Sequence, residues 1–100
     1  MGNQGSVGTG IFYEFDSKKA EEILDNLIKD KEVSRRIGRN GNKQIILSNG
    51  ESFILRKCSD SSRGHRFERL YISKSIPPNM ANWLLIPYVI NDGSVEFFEE

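Results

Sequence analysis

Histidine, cysteine and proline are scarce in this chain, with one, one and three copies in 100 residues. Cys58 by itself closes no internal disulfide, and with only His65 beside it there is no zinc-binding set. A reducing, intracellular setting suits such a chain, and cytoplasmic location is the expectation. Long apolar runs are missing too. The longest, Trp83 to Ile90, is interrupted by Pro87 and falls short of the roughly 18 residues a membrane helix needs, so no membrane contact is expected. Residues 1–10 carry no charge and residues 76–100 no basic side chain.

What is present bounds the answer further. An apolar content of 37% in a chain of this length supports one core, burying roughly two-thirds of the surface the unfolded chain exposes. The net charge of zero hides a segregation: residues 1–33 hold 4 basic and 7 acidic side chains, residues 34–75 hold 10 and 3, and residues 76–100 hold none and 4. A basic middle of this kind marks a face for nucleic acid or another anionic partner, because clustered Arg and Lys release counterions when they neutralise phosphates. The competing reading is that the acidic ends fold against the middle and cancel it.

MGNQGSVGTG, residues 1–10, has four glycines and little apolar surface to offset the entropy of ordering it, and reads as a flexible tail. Gly2 and Ser6 fit a myristoylation pattern, without the second anchoring signal that stable attachment needs. Gly5 and Gly10 have the spacing of a phosphate-binding loop, but Ile11 and Phe12 stand where Lys and Ser/Thr would hold phosphate and Mg²⁺. IFYEF, residues 11–15, reads as a first strand or the entry to a helix. Ala20, Ile23, Leu24, Leu27 and Ile28 then recur on one helical face, with Asp16 or Ser17 as cap and Lys18, Lys19, Glu21, Glu22, Asp25 and Lys29 turned outward.

RRIGRNGNK, residues 35–43, reads as a basic loop, and Asn49-Gly50 as a two-residue type I′ turn joining QIILS to ESFILRKC. A polar loop at residues 59–64 leads to a strand at residues 66–73, with Leu70 and Ile72 on one face and Phe67 and Tyr71 on the other. WLLIPYVI should be buried, either as a strand or as a short helix passing into a strand at Pro87, and Asn91-Asp92-Gly93 makes a last turn. The expected fold is α+β: one amphipathic helix on a mostly antiparallel sheet of about five strands, a single small domain over residues 11–100.

Catalytic constellations are thin. His65 stands between Gly64 and Arg66, the serines near it lack a placed acid, and Asp60 and Glu68 each have an arginine close enough in sequence to pair with. No catalytic residue, metal ligand or cofactor is therefore assigned. The arginines say more. Arg63, Arg66 and Arg69 recur every three residues, Arg56 comes from the preceding strand, and Arg35, Arg36 and Arg39 form a second cluster. Interleaved with Tyr71 as a stacking group, they suit single-stranded nucleic acid. Opposite faces of a strand would separate Arg66 from Arg69 unless a bulge turned one of them. The alternative is that Phe67 and Tyr71 pack in the core and the arginines merely solubilise a sheet edge.

Residues 44–89 also resemble a known family. QIILSNGESFIL, SSRGHRFERLYI and NWLLIPYV look like the middle of the ATPase core in phage terminase large subunits and related packaging or helicase ATPases. There a hairpin leads to an R-G loop, a strand ending in the Walker B Asp-Glu, and a helix with an apolar L-x-P element. Ser73 and Lys74 occupy the Asp-Glu places here. The resemblance implies a shortened, ATP-incompetent relative, phage or mobile-element encoded, acting on nucleic acid or on a protein of nucleic-acid metabolism. Against that expectation stand a protein-interaction module or inhibitor, which would use WLLIPYVI or the acidic EFFEE end, and an enzyme with an unrecognised site.

Overall fold

The spacing of Ala20, Leu24 and Ile28 produces the helix α1 (Lys18–Ile28) in a computed structural model that describes residues 8–58 and 66–100. Its cap is Asp16, whose Oδ1 accepts the Lys18 N–H at 2.9 Å, while Ser17 makes no side-chain capping bond. Glu21 departs from the outward position expected of it. Its carboxylate accepts the Gly41 N–H at 2.6 Å and pairs with Lys43 Nζ at 2.6 Å. Together with the Tyr13 hydroxyl, which donates to the Gly41 carbonyl at 2.9 Å, it fastens a turn of the sheet to the helix.

Six strands form one sheet, one more than expected: β1 (Gly8–Tyr13), β2 (Val33–Arg39), β3 (Asn42–Leu47), β4 (Ser52–Lys57), β5 (Phe67–Ser73) and β6 (Val89–Phe98), in the order β2-β3-β4-β1-β5-β6. The fold is α+β, a single small domain, but the sheet is mixed rather than mostly antiparallel. β2–β3 and β3–β4 are antiparallel; β4–β1, β1–β5 and β5–β6 are parallel. Hairpin turns reveal antiparallel neighbours locally, whereas parallel neighbours meet through crossovers that leave no adjacent signal in the chain.

Four local expectations change. The tail does not extend to Gly10, because Gly8–Gly10 begin the central strand β1. A Cβ on Gly10 would lie 2.5 Å from Phe67 Cε1 and 2.8 Å from Phe12 Cε2, so glycine here is a packing requirement rather than a sign of freedom. RRIGRNGNK is not a loop: Arg35–Arg39 lie in β2 and Asn42 starts β3, leaving Asn40-Gly41 as the turn between them. At Asn49-Gly50 only Gly50 has positive φ; its N–H donates to the Leu47 carbonyl and the Leu47 N–H donates to Glu51. This is a three-residue loop with its left-handed residue last, not type I′. Asn91-Asp92-Gly93 is an irregularity inside β6, where the pairing jumps from Phe67↔Val89 to Arg69↔Ser94.

The sheet buries one face under α1 and part of the other. On one side α1 covers Ile11, Ile45, Leu47, Phe53 and Leu55. On the other, a helical segment α2 (Pro78–Met80) continues as a π-helix (Ala81–Leu85) and a 3₁₀ turn (Ile86–Tyr88) into β6. There Phe12, Phe67, Leu70 and Ile72 pack with Ile76 and Ala81. WLLIPYVI thus takes the helix-then-strand form, but Trp83 is 76% exposed rather than buried. Among the described residues, no helix is long and apolar enough to cross a membrane.

Candidate nucleic-acid interface

Alternation of side chains along the strands decides which arginines meet. Phe53 and Leu55 of β4 and Ile45 and Leu47 of β3 belong to the core under α1. Ile54 and Arg56, and Asn42, Gln44 and Ile46, therefore lie on the opposite face. The register pairs Arg35 with Ile46, Ile37 with Gln44 and Arg39 with Asn42, which puts Arg35, Ile37 and Arg39 on that same face. One step beyond the Lys43↔Leu55 pair, Asn42 lies beside Arg56, so Arg39, Asn42 and Arg56 form a row across three strands. Over β2–β4 no described element covers this face: Ile37 is 41% exposed, and Gln44, Ile46 and Ile54 are partly exposed.

The remaining expected site residues do not join this row. Arg36 pairs with Ile45 and so lies on the α1 face. A bulge at Glu68 turns β5 so that Phe67 shares a face with Leu70 and Ile72, correcting its expected place beside Tyr71. The rings of Phe67 and Phe12 meet edge to face at 5.6 Å. Arg69 and Tyr71 consequently fall on the α1 side, where Tyr71 is half-buried against that core. Arg66 is exposed ahead of β5, and Arg63 and His65 lie outside the described residues. Asn42, Gln44, Ile37 and Ile54 were not singled out in the sequence. Their period-2 alternation with the arginines would have shown them had residues 35–43 been read as strands.

Charge on the open face has one sign. Its described strand positions on β2–β4 hold Arg35, Arg39 and Arg56 and no carboxylate. The Arg56 Nε is shielded from solvent and has no hydrogen-bond partner among the described residues. On the α1 side Lys43 is matched by Glu21.

The ends of β1 and β5 carry a different device. The Glu100 carboxylate accepts backbone N–H groups from Glu14 at 2.5 Å, Phe15 at 3.0 Å and Asp16 at 2.9 Å, tying the β1–α1 turn to the end of β6. Burial pushes its pKa up, but hydrogen bonds from Ser73 and from these amides outweigh that and hold it below its usual value near 4.5. Ser73 itself is wholly buried, and its Oγ accepts the Ser75 N–H at 3.1 Å. The next residue, Lys74, is exposed and pairs with Glu99 at 3.5 Å. A carboxylate with a lowered folded-state pKa stabilises the fold above its unfolded pKa, and this stabilisation disappears as pH falls through the lowered value. Acid titration of stability, followed by urea melts, should therefore be shallower in Glu100→Gln than in the parent from about pH 4.5 downward. Equal acid sensitivity in the two chains would count against this role for Glu100.

Beside Ser73, on the α2 side, is a cavity of about 280 Å³ walled by Ile76, Pro78, Ala81 and Ile86, with Lys74 and Asn82 also lining it. It brings together no acid–base pair. Among the described residues no cluster of His, Cys, Asp or Glu is arranged to hold a metal ion. Comparison of the chain with protein families, curated proteins and solved structures finds no match.

Proposed function

We propose that this protein is a non-catalytic binding protein that takes single-stranded nucleic acid on the open face of β2–β4. The observation that carries the reading is the set of Arg35, Arg39 and Arg56 on one sheet face whose described strand positions carry no carboxylate. Arginines spaced along and across the strands can follow a phosphate backbone, while Ile37, Ile46 and Ile54 offer apolar contact to base faces and Asn42 and Gln44 offer donors and acceptors to base edges. Tyr71 lies on the other face, so electrostatics rather than aromatic stacking dominates the affinity. The resemblance to packaging ATPases fits a nucleic-acid partner. Ser73 and Lys74, where that family places its metal-binding acids, fit a role without ATP hydrolysis.

Fluorescence anisotropy with a labelled single-stranded oligonucleotide tests the reading. Three neutralised phosphates correspond to a salt slope of about −2, so affinity should fall roughly twenty-fold between about 50 and 200 mM salt. Absence of binding at the lowest salt would overturn the reading and favour a protein partner.

A further inference from the structure

Arg56 differs from the other two arginines of the open face. Arg35 and Arg39 are exposed on the edge strand β2, whereas Arg56 is on the inner strand β4, partly buried, with wholly buried Phe12 as its register neighbour on β1. Its stem thus lies at the margin between the open half of the face and the half covered by α2. Among the described residues the Nε, closed off from solvent, has no hydrogen-bond partner, and the side chain makes no ion pair. A buried donor without an acceptor is a standing cost in the free protein, removed by any ligand that brings an oxygen to it. Asn42 and then Arg39 extend the row from this point toward the edge.

We infer that Arg56 is the phosphate anchor of the open face, its guanidinium turning outward on binding so that Nε and one Nη fork the two non-bridging oxygens of a single backbone phosphate. The inference rests on the nucleic-acid reading above and makes it more specific. Arg35 and Arg39 act as point charges, for which any cation serves. Arg56 acts through a planar pair of donors that lysine does not possess.

The test compares Arg56→Lys with Arg35→Lys in the full chain, by anisotropy with a labelled oligothymidylate of about twelve nucleotides, a length within the range that one small domain covers. Both variants keep their charge, so both should keep the salt slope of the parent. Arg56→Lys should bind about tenfold more weakly at every salt concentration, and Arg35→Lys within about twofold of the parent. Thermal melts of the three proteins should coincide within a few degrees, which separates the loss of a donor from a loss of fold. Unchanged affinity in Arg56→Lys, or an equal loss in Arg35→Lys, overturns the anchor while leaving the open face as the binding surface. A parent chain that does not bind overturns both.

Discussion

Alanine at Arg35, Arg39 and Arg56 together is expected to weaken oligonucleotide binding at about 50 mM salt on the order of a hundredfold or more, and to flatten the salt slope from about −2 toward zero. A hydrogen bond to a charged group contributes about 1.5–3 kcal/mol. Two of the three side chains stand in solvent, so a combined loss of about 3–4 kcal/mol is the reasonable scale once screening is allowed for. The companion variant, Arg36→Ala with Arg69→Ala, removes two charges from the opposite face of the sheet. It should change affinity by no more than the few-fold expected of a longer-range field. If the two variants lose affinity equally, overall charge explains the binding and the face does not.

Phe12→Ala should cost about 3–5 kcal/mol, a large loss of stability for a single truncation. Phe12 is wholly buried on the central strand β1, flanked in the sheet by Arg56 of β4 and Ile72 of β5. Its ring meets Phe67 edge to face with an interplanar angle of 81°, a contact that adds to the burial of the ring itself. Gly10 holds no side chain that could swing into the gap, and the surrounding strands are fixed by pairing on both sides, so the cavity would collapse only in part. Against a total stability of about 5–15 kcal/mol, such a loss leaves the domain close to unfolding at room temperature. Urea denaturation would show it as a lower midpoint with an unchanged slope. Phe97→Ala supplies the contrast: at 54% exposure its loss should fall within about 1 kcal/mol. A similar small change in Phe12→Ala would mean that the α2-side core repacks far more freely than its strand pairing implies.

The helix α1 and the segments that became strands β3 to β5 were legible in the sequence, because periods of 3.6 and 2 follow from backbone geometry and need no knowledge of neighbours. The α+β class followed from the same patterns. The basic middle was visible by counting, but the partition of its arginines was not. Reading Arg35 to Lys43 as a loop concealed that Arg35, Ile37 and Arg39 alternate along a strand, since two glycines with positive φ, Gly38 and Gly41, made the stretch look like a turn throughout. The bulge at Glu68 put Phe67 on the face of Leu70 and Ile72 instead of beside Arg69 and Tyr71, a shift of one residue that reverses its side chain relative to all that follow. By itself the sequence determined the helix, most strands and where the positive charge lies along the chain, all of them properties of local spacing. Only the tertiary structure decided that β1 enters the sheet between β4 and β5, and that Arg35, Arg39 and Arg56 share a face while Arg36, Arg69 and Tyr71 occupy the other. Strand order and register are set by contacts between residues far apart in the chain, and those contacts leave no trace in local periodicity.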